Sequence, residues 1–185
     1  NETGQIEHSY KAQFAKAMVA GLSGNDTEGL RLLVRLLEQC PDCETRLMAW
    51  VRYYISSNLS SRNAPKLSQE FILPIVEWKA ELHDDHLMNI SIDLVAYNYF
   101  ALKDYDKALK YYKLSLDRYQ KEGDHLMTAS MLNNIGLCYL NQRKFSDAEM
   151  TFKKAIGKFD GVHKLTNGEK TFRNIVSGNL GTAYD

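Results

Sequence analysis

MTASMLNNIGLCYLNQRKFSDAEMTFKKAIGKFD, residues 127–160, is the stretch whose reading decides how this chain folds. Leu132, Ile135, Gly136 and Tyr139 recur at helical spacing, and Ala148 and Phe152 follow four residues apart. Gly136 and Ala148 are small, so two antiparallel helices can approach closely at those points. Ile135, Tyr139 and Phe152 are large enough to fill the seam on either side. Asn141 to Lys144 (NQRK) supplies a polar turn between the two helices. Gly136, Tyr139, Ala148 and Phe152 are therefore expected to be largely buried.

Both flanks repeat the pattern. Upstream, Ile92, Val95, Ala96 and Tyr99 keep the spacing, and Ala108 and Tyr112 complete it 40 residues before Ala148 and Phe152. Asp85-His86-Leu87-Met88 recurs almost in phase as Asp124-His125-Leu126-Met127. Downstream, Ser177, Leu180, Gly181 and Tyr184 open another copy, 45 residues after Gly136. The order W-x2-L-G-x2-Y followed by A-x3-F is that of a tetratricopeptide repeat, with Leu132 in the tryptophan place and Asp160 where proline is common. The chain resembles that family in a long-period form. The resemblance implies an all-α, right-handed solenoid of helix–turn–helix hairpins, about four and a half repeats, with no strand.

Working outward, Gln5 to Leu22 reads as a helix, and Gly24-Asn25-Asp26-Thr27 as a turn in which Asp26 or Thr27 caps the next helix. Gly29, Leu33 and Pro41 then stand where the family pattern has its alanine, aromatic and proline. Residues 5–43 are expected to form a degenerate capping repeat. Residues 44–83 form a divergent one. Its first helix runs over Glu44 to Asn58, with Leu47, Trp50, Val51 and Tyr54 at i, i+3, i+4, i+7. Ser56 to Pro65 (SSNLSSRNAP) is a polar interruption. Its second helix spans Lys66 to Leu82, with Leu67, Phe71, Ile75 and Trp78 inward and Pro74 kinking or dividing it. Residues 85–122 and 124–160 are the two well-matched repeats, with Asp85 and Asp124 as helix caps. Residues 168–185 open a truncated repeat. All of it reads as a single repeat domain, and the cut repeat and absent initiator Met suggest a piece of a larger protein.

Charge balances, 23 basic residues against 23 acidic, which gives no reason to expect nucleic acid or an anionic membrane as partner. An apolar content of 44% and only three prolines suit packed helices. No apolar run approaches the roughly 18 residues needed to span a bilayer. The residues name no compartment.

Cys40-Pro-Asp-Cys43 is a CxxC with three readings: an inter-helix loop with two ordinary thiols, a local disulfide in an oxidising compartment, or a metal or redox site. The motif follows a helix end, and Cys138 stands alone in a packed helix, so the last reading lacks its usual setting. His83-Asp84-Asp85-His86 offers metal-ligand types, but coincides with a helix–helix turn and reads better as a cap. No Gly-rich phosphate loop, G-x-S-x-G or H-E-x-x-H occurs. The expectation is no enzyme, no metal and no cofactor.

The informative polar residues are asparagines. Asn134 and Asn179 occupy equivalent places in successive first helices, beside Asn133. In long-period members of the family that bind extended peptides, such asparagines hold the peptide backbone. The resemblance therefore implies a groove with Asp93, Tyr97, Asn133, Asn134 and Asn179 on one concave face. An Asn amide both donates and accepts, as an extended backbone requires. The other reading is that these amides tie neighbouring repeats together. A protein- or peptide-binding scaffold within a larger bacterial signalling or regulatory protein is the leading functional expectation. The alternative is a structural array that self-associates into a homo-oligomer or spaces other domains.

Overall fold

The computed structural model describes residues 2–39, 45–78, 82–160 and 165–183. Cys40 and Cys43 lie outside the described residues. Every regular element among those described is an α-helix, so the fold is an all-α helical repeat. The chain divides into two compact units, Asn1–Asn98 and Tyr99–Asp185. The first holds α1 (Glu2–Leu22), α2 (Asp26–Gln39), α3 (Thr45–Ser61), α4 (Pro65–Glu77) and most of α5 (Asp85–Ala101). The second holds the end of α5, then α6 (Tyr105–Glu122), α7 (His125–Asn141), α8 (Phe145–Gly157) and α9 (Asn167–Gly181).

The repeat period is written in the turns. Gly24, Asn63, Lys103 and Arg143 all have positive φ, between 59° and 81°, at intervals of 39, 40 and 40 residues. At each, that residue's N–H returns to the carbonyl three back and the next N–H to the carbonyl five back, as in Gly24 to Gly21 and Asn25 to Ala20. The same left-handed closure thus ends α1, α3, α5 and α7 and satisfies their last carbonyls. Residues 5–43 and 44–83, which look degenerate by side chain, share the backbone turn of the best-matched repeat.

That register aligns a small-residue pair across the α1–α2, α3–α4 and α7–α8 hairpins. In the first unit the pairs are Ala17 with Gly29 and Ser56 with Ser68. A Cβ on Gly29 would stand 3.0 Å from the Ala17 carbonyl oxygen and 3.2 Å from the Gly21 nitrogen, so α1 and α2 touch backbone to backbone there. Ser68 Oγ donates to the Ser56 carbonyl at 2.8 Å, and the two hydroxyls are 2.6 Å apart. The buried Asn98 side chain joins them: its Nδ2 donates to Ser68 Oγ at 2.7 Å, and its Oδ1 accepts from Ser60 Oγ at 2.8 Å. In the second unit the pair is Gly136 with Ala148, both buried.

Several sequence expectations are corrected here. Ser56 to Ser61 is the last turn and a half of α3, with Ser56 and Ser60 buried rather than in a polar interruption. In α4, Ser68, Gln69, Ile72 and Ile75 face inward while Leu67 is exposed, because the hydroxyl of Ser68 has buried partners. Pro74 sits inside α4, which runs through it and stops at Glu77, well short of Leu82. With no N–H at Pro74, one backbone bond is missing and the helix lasts less than one further turn. The cap of α2 is Asn25, whose Oδ1 accepts the Glu28 N–H, not Asp26 or Thr27. Tyr139 is half-buried rather than buried, with the Lys113 ammonium 5.8 Å from its ring centre.

Candidate functional site

In the second unit, α7 and α9 bring three amides together. Asn133 is buried, and its Oδ1 accepts from Asn179 Nδ2 at 2.8 Å. Its own Nδ2 points to Asn134 Oδ1 at 3.5 Å. Both Asn134 and Asn179 are half-buried. The row of amides leaves Asn134 Nδ2 as a donor at one end and Asn179 Oδ1 as an acceptor at the other, neither with a partner among the described residues. An extended backbone offers the complementary pair, one C=O and one N–H.

Asp93 and Tyr97 stand one turn apart on the first unit's part of α5, on the same side of that helix. Tyr97 is 51% exposed, while Asp93 is half-buried. Asp93 lies near Tyr53 of α3, whose hydroxyl pKa is pushed up by burial and further by Tyr54 and the Asp93 charge. The five expected residues therefore fall into a pair in the first unit and a cluster of three in the second.

The sequence reading missed an aromatic cluster beside Asp93. Trp50 stacks on Tyr54 at 5.7 Å and meets Tyr53 edge-on at 5.9 Å. Phe14 of α1 lies 5.8 Å from Tyr54, and His86 of α5 lies 6.3 Å from Trp50. Trp50 and Tyr54 fit the core stripe of α3, yet only Leu47 and Val51 of that stripe are buried. The signal was Tyr53 next to Tyr54, which widens the aromatic face beyond one stripe.

The cluster is anchored at Asp84, and this corrects the cap expected at Asp85. Asp84 Oδ1 accepts the Leu87 N–H at 2.9 Å, and Oδ2 accepts from Arg46 Nε at 2.9 Å, with a side chain 7% exposed. Burial raises the Asp84 pKa, but the Leu87 amide, the Arg46 guanidinium and the Trp50 indole outweigh it and hold the carboxyl below its ordinary range. Asp124 caps α7 through the Met127 N–H, as expected. The interval from Asp84 to Asp124 is 40, matching the turns, whereas the repeated tetrapeptide is one residue out of phase. His83 and His86 flank this cap. Among the described residues, no group of three or more His, Cys, Asp or Glu is placed to hold a metal ion. Among the same residues, no helix is long and apolar enough to cross a membrane.

The pattern of the tetratricopeptide repeat family matches residues 87–158, which span both the α5 and α7 copies of the motif. This stretch is tetratricopeptide repeat. No curated protein sequence matches the chain. Among solved structures, the apo form of RapI superposes with a TM-score of 0.81 at 16% identity, over 95% of this chain and 62% of RapI. A kinesin light chain of Podosopora anserina, with nearly identical TPR-like repeats, gives 0.77 at 13% identity over 96% of this chain and 86% of its own. A Rap protein complexed with Competence and Sporulation Factor gives 0.64 at 13% identity, over 95% and 54%. The chain thus spans less than two thirds of either Rap protein. At these identities the likeness is one of fold, and the repeat is shared.

Proposed function

We propose that this chain is the peptide-recognising sensory module of a larger bacterial signalling or regulatory protein. The observation that carries the reading is the amide row Asn134–Asn133–Asn179, which ends in one donor and one acceptor. Two half-buried amides at the ends of a buried one form a rigid pair of backbone-reading groups, and a rigid pair loses little entropy on binding. Asp93 and Tyr97 in the first unit add a carboxylate and an exposed phenol, suited to side chains rather than backbone. The Rap protein bound to Competence and Sporulation Factor supports the reading as a fold of the same kind in complex with a factor.

The test is a pool of random hexapeptides passed over the immobilised chain, beside the same pool with alternate backbone nitrogens methylated. Backbone recognition predicts that wild-type protein retains the first pool and not the second, and that Asn134→Ala retains less of the first. Equal retention of both pools, or none of either, would overturn it.

A further inference from the structure

Overall neutrality conceals a division of charge. Residues 1–98 carry 9 Lys or Arg against 13 Asp or Glu, a net charge of −4. Residues 99–185 carry 14 against 10, a net charge of +4. Each unit of one chain is thus complementary in charge to the other unit of a second copy.

The second helices of two successive hairpins bring that difference to one register. The turns at Asn63 and Lys103 are 40 residues apart, so Glu70 of α4 and Lys110 of α6 hold the same place on their helices. Both are exposed. One turn before Glu70 stands Leu67, 44% exposed, and one turn after Lys110 stands Leu114, 41% exposed.

The lysines of α6 are held in place without being neutralised. Lys110 and Lys113 lie 5.7 and 5.8 Å from the ring centres of Tyr111 and Tyr139, and neither has a carboxylate partner among the described residues. Lys107 is bound to Asp104 at 2.8 Å. Glu70 and Glu77, the exposed acids of α4, likewise have no cationic partner among the described residues. An ammonium already ordered by a ring loses less entropy when a carboxylate arrives.

The residue order on the two helices selects one orientation. Laid antiparallel with Leu67 opposite Leu114, a rise of about 1.5 Å per residue puts Glu70 level with Tyr111, between Lys110 and Lys113. Glu77 then comes within a turn of Lys107, and Lys66 within a turn of Asp117. A parallel arrangement that sets Glu70 on Lys110 would instead put Glu77 on Asp117 and Leu67 on Lys107. Only the antiparallel one matches apolar with apolar and acid with base.

We propose that the outer face of α6 docks a second copy of this chain through the outer face of that copy's α4. The contact joins unlike surfaces and is therefore heterologous. It uses neither the amide row nor Asp93, so it is independent of peptide binding.

Sedimentation of the full chain tests it. At low salt the wild-type mass should rise with concentration above that of the monomer. In about 1 M salt, where screening acts beyond ~3 Å, it should fall back. Glu70→Lys, or Lys110→Glu together with Lys113→Glu, should weaken association about tenfold or more, because like charges then face each other. An equimolar mixture of those two variants should associate as the wild type does, since contacts between them again join opposite charges. Lys154→Glu together with Lys170→Glu changes the net charge equally on α8 and α9 and should leave association as in the wild type. All five side chains are exposed, so each variant should keep a Tm near that of the wild type. A wild type that is monomeric at every concentration, an equal loss in the α8–α9 variant, or no recovery in the mixture would each overturn the proposal. A monomer that instead captures an acidic helical peptide on α6 would also overturn it and assign the face to a different partner.

Discussion

Gly136 of α7 lies against the ring of Phe152 of α8: a Cβ on the glycine would stand 2.5 Å from Cε1 and 2.7 Å from Cδ1. Phe152 is wholly buried among Leu132, Ala155 and Val176, so its ring has nowhere to move without opening that core. The glycine is there for closeness of approach, since it sits within a helix and needs no left-handed backbone.

Substitution at 136 should therefore destabilise despite improved helix propensity. Gly136→Ala gains up to about 1 kcal/mol in propensity, yet its methyl collides with a packed ring. Gly136→Leu should cost about 1–3 kcal/mol or more through overpacking. Gly181 is the sequence equivalent but meets nothing within 4 Å, so Gly181→Ala should be neutral or stabilising. Thermal unfolding of the three variants checks the contrast; an unchanged Tm in Gly136→Leu would contradict the close approach.

The Gly136 seam was legible in the sequence because a missing side chain inside a helical stripe has few explanations. The hairpin turns were not, because Asn63, Lys103 and Arg143 hide a left-handed conformation behind ordinary side chains. Ser56 and Ser60 read as part of a polar break, since a sequence shows a hydroxyl but not the Ser68 and Asn98 groups that satisfy it. Asp85 was favoured over Asp84 by a repeated tetrapeptide, whereas the cap is set by the backbone register of the turns. Asn133, Asn134 and Asn179 were found by spacing, but only geometry showed which pair of amides is bonded.

Asp84 should make stability sensitive to acid. Its folded pKa is below that of an unfolded aspartate, about 3.9, so its contribution is fully present above that value and is lost as pH falls through the lower folded pKa. Asp84→Ala removes the cap and leaves Arg46 without its carboxylate, at a cost of about 0.5–2 kcal/mol from the cap. Urea unfolding at neutral pH and near pH 3 should show the wild type losing stability on acidification and Asp84→Ala losing less. Equal losses would show that another group carries the acid sensitivity.

Cys138 should be inert in the folded chain. Burial pushes its thiol up to about 12, so almost no thiolate exists at pH 8 and the sulfur is enclosed in α7. In a Cys40→Ser, Cys43→Ser background, an aromatic disulfide reagent should react with Cys138 only at the rate of unfolding, and promptly in denaturant. Rapid reaction under native conditions would mean that this part of α7 opens readily.

Asn134 and Asn179 should separate binding from stability. Asn179→Ala removes the donor to the buried Asn133 Oδ1 and leaves that acceptor unsatisfied, at about 1–3 kcal/mol of stability. Asn134→Ala removes a half-buried amide whose bond from Asn133 Nδ2 is long, at 3.5 Å, so its Tm should fall less than that of Asn179→Ala. Against a hexapeptide recovered from the unmethylated pool, both variants should bind more weakly, by about 1–2 kcal/mol each. The decisive comparison is Asn134→Ala, measured by calorimetry for affinity and by thermal unfolding for stability. A large fall in Tm with unchanged peptide affinity would make Asn134 a strut between repeats, like the Asn133–Asn179 bond beside it. A large fall in affinity at constant Tm assigns it to the peptide.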